Sequence, residues 1–151
     1  AIIANERCGK KLDVNRVALM GLYHDANEII TGDMPTPVKY YDDDIKEAYK
    51  RVEDVASHTL LNKLPGYMKK YYEPVFFPDG SSEYEWKLVK AADKLSALIK
   101  CMEELRAGNQ EFKTAEETTR RALEEMQMEE ITIFMEEFLP AYSLTLDELQ
   151  E

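Results

Sequence analysis

Leu22-Tyr23-His24-Asp25-Ala26-Asn27-Glu28-Ile29-Ile30-Thr31-Gly32-Asp33 is the stretch from which the fold and the chemistry are read. Just upstream, Asp13 is a suitable N-cap, and the spacing predicts one helix from there to about Ile30, ended by Thr31-Gly32. On that helix Leu19, Leu22, Tyr23, Ala26 and Ile30 form one apolar face, while Val14, Val17 and Gly21 lead along another stripe to His24, Asp25 and Glu28. Glu28 follows His24 by one helical turn, so the two share a face. Adjacent helical residues point about 100° apart, so His24 and Asp25 can share a cation only at the edge between their faces. An imidazole nitrogen and a carboxylate oxygen are both good ligands for a borderline divalent ion. Glu28 then stands where it can orient a ligand or act as acid or base on a water. Taken alone, a His-Asp dipeptide is more often a solvated pair than a metal site.

Outward from that stretch the chain keeps reading as helix. Gly32-Asp33-Met34-Pro35-Thr36-Pro37 interrupts it, because each proline pushes the residue before it toward extended geometry. A second helix is expected from Asp44 to Leu61, with Ile45, Ala48, Tyr49, Val52, Val55, Ala56 and Leu60 at helical spacing. The run Asp42-Asp43-Asp44 reads as its solvated start, favourable at the positive end of the helix dipole. His58 reads as an ordinary helix-face residue, and the Tyr40-Tyr41 and Tyr71-Tyr72 pairs as core or interface. A short piece follows Pro65, then a loop from Pro74 to Ser82. Helices are expected from Glu83 to Ala107, stopped by Gly108-Asn109, and from Thr114 to Phe138, stopped before Pro140. Thr145 and Glu148 have the spacing of a capping box. With no strand-like alternation, repeat or linker, the expected fold is all-α and a single domain over residues 1–151.

Composition bounds the function. A chain of 151 residues, 44% hydrophobic and 32% charged, is a globular composition. Its formal net charge of −11 argues against a broad nucleic-acid surface, which needs clustered Lys and Arg. A small phosphate substrate is compatible, since a metal and a basic side chain or two reverse the potential locally. The sequence lacks an apolar run of the ~18 residues that a membrane-spanning helix requires. Ala1-Ile2-Ile3-Ala4 is too short for a signal peptide and has no basic leader. Cys8 and Cys101 are far apart and read as reduced thiols of a cytoplasmic protein, with a disulfide between them as the alternative.

A second candidate lies in Leu88-Val89-Lys90-Ala91-Ala92-Asp93-Lys94-Leu95-Ser96-Ala97-Leu98, where Asp93 interrupts a run of apolar and small residues. Full burial of an unpaired carboxylate costs several kcal/mol, so the plain reading is an exposed partner of Lys90 or Lys94. The small neighbours Ala92, Ser96 and Ala97 nonetheless suit the close helix approach that a shared metal requires.

Together these segments resemble a known family. His24-Asp25 followed by a helical Asp93 is similar to the last three ligands of the His…His-Asp…Asp signature of HD-domain phosphohydrolases. The closer resemblance is to bacterial 5′-deoxynucleotidases. It is carried by Tyr23-His24-Asp25-Ala26-Asn27-Glu28 and by Thr31-Gly32-Asp33-Met34-Pro35-Thr36-Pro37-Val38-Lys39-Tyr40. Further support comes from Lys90-Ala91-Ala92-Asp93, from Lys100 to Leu105 with Gly108-Asn109, and from the tail Phe134 to Glu148. The family's first metal-ligand His and its Arg-Trp pair have no counterpart here. The chain opens on Ala1-Ile2-Ile3 without an initiator Met, as if a helix were already under way, so N-terminal helices before Ala1 are expected.

The resemblance implies an HD-domain helical bundle with a divalent ion (Co, Mn, Zn, Fe, Ni and Mg are not distinguished) on His24, Asp25 and Asp93. It implies removal of phosphate from a deoxyribonucleoside 5′-monophosphate, with Glu28 handling protons or positioning the water. Asp33 would face the sugar and bond its 3′-hydroxyl, and Pro35 and Pro37 would stiffen the loop, so that a 2′-hydroxyl is rejected sterically. Two simpler alternatives stand beside those roles: Asp33 as an Asx-turn former, and Glu28 as a partner of His24 alone. Two other functions compete: a different HD-domain nucleotide phosphohydrolase, and an all-α interaction module whose metal site has decayed. A homodimer is expected in either case, with Ile131, Ile133, Phe134, Phe138 and Leu139 as a candidate face.

Overall fold

Asp13 caps the helix assigned to it, its carboxylate accepting from the amides of Asn15 and Arg16 at 3.0 and 3.1 Å. The computed structural model describes residues 1–35, 38, 41–77, 79–145, 147 and 148. Among these every regular element is helical, as an all-α fold requires. The α-helices are α1 (Ile2–Arg7), α2 (Val14–Tyr23), α3 (Glu28–Thr31), α4 (Asp43–Lys63), α5 (Gly66–Phe76), α6 (Glu83–Arg106), α7 (Lys113–Glu125) and α8 (Glu129–Glu137). Short 3₁₀ turns cover Gly80–Ser82, Gln110–Phe112 and Leu139–Ser143. Among the described residues, no helix is long and apolar enough to cross a membrane. Thr36, Pro37, Lys39, Tyr40 and Leu146 lie outside the described residues, and with them the roles expected of Pro37 and Tyr40.

The chain divides into two compact units, Ala1–Val17 with Tyr84–Glu151, and Ala18–Glu83. In the first, α6 supplies a buried stripe of Leu88, Ala91, Leu95, Leu98 and Cys101, the three- and four-residue steps of one helical face. Each fully buried leucine contributes about 1.5–3 kcal/mol. Ala4, Leu123, Met128, Ile131 and Leu139 complete that core. Helix α1 packs against α8, and Arg7 grips Glu137 with both guanidinium nitrogens, at 3.2 and 2.9 Å. Glu130, although a carboxylate, is 3% exposed and accepts the hydroxyl of Tyr84 at 2.5 Å. Gly108, at φ +93°, ends α6 as expected, with the Asn109 amide returning to Glu104 O at 2.9 Å. The Thr145–Glu148 capping box forms reciprocally: Glu148 accepts from the Thr145 amide at 2.7 Å, and Thr145 Oγ1 from the Glu148 amide at 3.3 Å. The bonds that the Glu148 carboxylate accepts from the Thr145 amide and, at 2.8 Å, from the Thr145 hydroxyl hold its carboxyl below its usual range.

In the second unit α4 packs against both α3 and α5. Asp42 caps α4 by accepting from the Ile45 amide at 2.8 Å, and Asp43 and Asp44 fill its first turn, exposed as expected of a solvated start. Tyr49, Ala56 and Leu61 of α4, Val75 of α5 and Met20 of α2 are buried there. Tyr23 meets Tyr72 and Phe76 edge-on, with ring centres 5.4 and 6.2 Å away.

Several boundaries differ from expectation, each for a physical reason. The helix from Asp13 does not run to Ile30: α2 stops at Tyr23 and α3 is a separate single turn. The His24 ring takes the Gly21 carbonyl, the acceptor that a continuing helix offers to the Asp25 amide, and the chain tightens into three-residue hydrogen bonds. The expected apolar face is also rotated. Leu22 is 73% exposed, and Leu19 and Ile30 are exposed too, while Met20 is fully buried. Pro74 does not open a loop; it sits inside α5, which continues to Phe76 because Val75 and Phe76 have packing partners. The long helix expected from Thr114 breaks at Gln127, whose φ of +51° turns the chain so that Met128 and Ile131 both reach the core. Ile131 and Leu139 are therefore core residues rather than parts of a dimer face. Tyr41 and Tyr71 are exposed, which removes the core half of the core-or-interface expectation and leaves the interface half, whereas Tyr72 packs on Tyr23.

Candidate metal centre

The turn between α2 and α3 fixes the orientation of His24. Its Nδ1 lies 2.7 Å from the Gly21 carbonyl oxygen. A carbonyl cannot donate, so that nitrogen carries the proton, and in the neutral ring the lone pair is left on Nε2. Such a backbone bond behind a histidine sets the tautomer that binds metal. Nε2 in turn lies 2.9 Å from Asp25 Oδ2.

Two lone-pair-bearing atoms that close repel each other. A positive charge, either a second ring proton or a cation held by both atoms, makes the contact favourable. Ligands ~2.0–2.2 Å from one cation and at right angles are ~3.0 Å apart. The observed 2.9 Å therefore matches neighbouring positions of one coordination sphere. The His24 side chain is 23% exposed and that of Asp25 54%, so the pair is supported from behind and open in front. On donor type, tautomer and spacing the pair fits a divalent metal. The three-residue hydrogen bonding makes this possible, since it alters the 100° divergence that a regular helix would impose.

Glu28 opens α3, partly buried, and its backbone carbonyl accepts from the Gly32 amide at 2.9 Å. Asp33 and Pro35 follow Gly32 in an exposed, non-helical segment. The Pro35 carbonyl accepts from the Val38 amide at 2.8 Å. All of these belong to the second unit. Asp93 belongs to the first, on the exposed side of α6 opposite its buried stripe and beside exposed Ala92, Ser96 and Ala97. His24, Asp25 and Asp93 each offer a ligand atom, one imidazole nitrogen and two carboxylate oxygens. His58 is elsewhere in the second unit, its Nδ1 2.8 Å from the Asp54 carbonyl and its ring against Phe77 at 4.2 Å.

Behind the turn that carries His24 and Asp25, Tyr23, Ala26 and Asn27 line a cavity of about 20 Å³ together with Ser57, Leu60, Val75 and Phe76. That is room for about one water, far below the ~300 Å³ of a small-molecule pocket, so this cavity is a feature of the turn's support. The residue that periodicity left among the core positions is Tyr49. Its hydroxyl donates to the Gly32 carbonyl at 2.8 Å, a contact across 17 residues of sequence that helical spacing does not signal.

The family of 5′-deoxynucleotidase YfbR-like proteins matches residues 1–142. A 5′-deoxynucleotidase of Erwinia tasmaniensis is 45% identical over 151 residues, covering 100% of this chain and 76% of the relative. One of Vibrio parahaemolyticus is 41% identical over 149 residues, covering 99% of this chain and 77% of its own length. One of Escherichia coli is 40% identical over 151 residues, again covering 76% of the relative. With the all-helical fold and the His-Asp turn, these matches place the chain in the YfbR-like 5′-deoxynucleotidase family.

Proposed function

We propose that this protein is a metal-dependent phosphohydrolase that removes the 5′-phosphate from deoxyribonucleoside 5′-monophosphates, leaving nucleoside and orthophosphate. The observation that carries the reading is the His24–Asp25 pair, with Nδ1 committed to Gly21 and Nε2 turned to Oδ2 at 2.9 Å, in a chain of this family. His24, Asp25 and Asp93 are the proposed metal ligands, within one HD domain over residues 1–151. The chemistry a divalent cation supplies is a more acidic water and neutralised charge on the phosphoryl oxygens.

The remaining work falls to this chain's own groups. Glu28 takes the proton from the attacking water or holds that water in line. Asp33 accepts a hydrogen bond from the 3′-hydroxyl of the sugar. Pro35, with φ fixed by its ring, stiffens the segment so that the sugar site is formed before binding and too tight for a 2′-hydroxyl. A cytoplasmic homodimer completes the proposal. Free thiols at Cys8 and Cys101 support the location. Of the face expected for self-association, Ile133 and Phe134 are half-buried and Phe138 is 46% exposed, and these support it.

The test is phosphate release from dCMP, dTMP, dAMP and their ribonucleotide partners, with Co²⁺ or Mn²⁺ added, by protein expressed from its native start codon. Metal-dependent release confined to the deoxy substrates and lost in Asp93→Ala is the expected outcome. Bound metal without release from any monophosphate would point to another phosphate ester. Absence of stoichiometric metal would favour an interaction module.

A further inference from the structure

Gly32 is the hinge between α3 and the segment that carries Asp33, and its backbone is unusual. At φ +70° and ψ 165° it occupies a region open essentially to glycine alone. A glycine there gains freedom as well as access, so something must hold it. Two hydroxyls do. Thr31 Oγ1 donates to the Gly32 carbonyl oxygen at 2.9 Å, and the Tyr49 hydroxyl donates to the same oxygen at 2.8 Å. The second comes from a different helix: Tyr49 sits in α4, is 8% exposed, and so delivers its hydroxyl from a packed, fixed position.

The geometric consequence falls on Asp33. The carbonyl of Gly32 and the amide of Asp33 belong to one peptide plane. Fixing the direction of that carbonyl fixes the direction in which the Asp33 backbone leaves the turn. At the other end of the same single-turn helix, the Gly32 amide is tied to the Glu28 carbonyl at 2.9 Å. One glycine thus joins the element that bears the proposed proton-handling residue to the residue proposed to meet the sugar.

We propose that Tyr49 is a positioning residue for sugar selection: its bond to the Gly32 carbonyl aims Asp33 at the deoxyribose. This rests on the reading of Asp33 given above. A tyrosine that merely satisfies its own buried hydroxyl would affect stability and nothing else. A positioning tyrosine affects KM and the choice between deoxyribose and ribose, because a loosened Asp33 binds the 3′-hydroxyl less well and makes room for a 2′-hydroxyl.

The experiment measures kcat and KM for dAMP and AMP in protein expressed from its native start codon, with Tyr49→Phe, Asp33→Ala, the double variant and Thr31→Val. Tyr49→Phe should raise KM for dAMP by roughly three- to tenfold, the weight of about one hydrogen bond, with a smaller change in kcat. It should narrow the dAMP-over-AMP ratio of kcat/KM. On the Asp33→Ala background it should add less than about twofold, since both act through one contact. Thr31→Val, which removes the other donor to the same oxygen, should move the ratio in the same direction and serves if Tyr49→Phe folds poorly. An unchanged ratio in both single variants, or an undiminished KM effect on the Asp33→Ala background, overturns the role of Tyr49 while leaving the activity intact. Unmodified protein that releases no phosphate from dAMP overturns the functional reading itself, and this inference with it.

Discussion

His24 Nε2 and Asp25 Oδ2 lie 2.9 Å apart although they belong to adjacent residues, a convergence that a regular helix does not favour. That spacing suits the neighbouring positions of one coordination sphere proposed for the pair, with the imidazole held by Gly21 from behind. With the two residues as the proposed ligands, replacing either leaves an incomplete donor set. His24→Ala and Asp25→Ala should each lose stoichiometric metal, with affinity falling by more than the ~10–100-fold typical for loss of a supporting residue. Metal analysis of the purified variants, set beside circular dichroism to show retained helix, checks this. Metal retained at full stoichiometry in both would remove the pair from the ligand set.

The proton-handling role proposed for Glu28 is separable from metal binding. Glu28→Gln keeps the size of the side chain and its place at the start of α3 while removing the basic carboxylate. Its kcat should fall by about 10²–10⁴, with metal content unchanged and KM little altered. If instead metal is lost while the residual kcat per bound metal is normal, Glu28 serves the metal and not the proton.

Two glycines in this region should respond oppositely to the same change. An alanine Cβ meets open space at both Gly21 and Gly32, so conformation alone decides. Gly32→Ala forces a left-handed region that an L side chain resists and should destabilise by about 1–3 kcal/mol. Gly21→Ala sits inside α2 with an ordinary helical backbone and should stabilise by about 0.5–1 kcal/mol. Denaturant midpoints of the two variants provide the comparison, and equal shifts would contradict it.

Tyr84 and the buried Glu130 carboxylate tie the start of α6 to α8. Burial, and then the Glu130 carboxylate beside it, push the Tyr84 phenol well above its ordinary range. In the unfolded chain that phenol ionises near pH ~10, while in the folded protein it stays protonated to higher pH. The folded state therefore binds more protons above that point. The stabilisation is fully present below pH ~10 and is lost as the pH rises through the folded value. Tyr84→Phe should cost about 1.5–3 kcal/mol at pH 7, because a buried carboxylate loses its donor. It should also flatten the alkaline fall in stability relative to the unmodified protein. Parallel pH profiles for the two proteins would exclude the pair as its source.

Much of this was legible in the residues themselves. Asp13, Gly108 and the Thr145–Glu148 box mark helix ends by chemistry that acts over a few residues, and each does what its sequence context predicts. The His24-Asp25-Ala26-Asn27-Glu28 block offers imidazole and carboxylate donors, but the metal reading comes from its resemblance to a family and not from residue type alone. Failures fall where a distant contact competes with a local preference. Pro74 reads as a helix breaker, yet packing of Phe76 on Tyr23 carries α5 past it. The apolar spacing of Thr114 to Phe138 fits one helix as well as two, and the core that takes Leu123, Met128 and Ile131 chooses two.

By itself, then, the sequence determined the all-helical class, most helix ends and the ligand types on offer, because capping, turn chemistry and periodicity are local. Tertiary structure decided the rest. Periodicity gives the face of a helix but not its rotation, so burial of Met20 in place of Leu22 had to come from packing. The tautomer of His24 depends on a turn that a regular helix would not make. The Tyr49–Gly32 bond, which links residues on different helical elements, exists only once α3 and α4 have packed together.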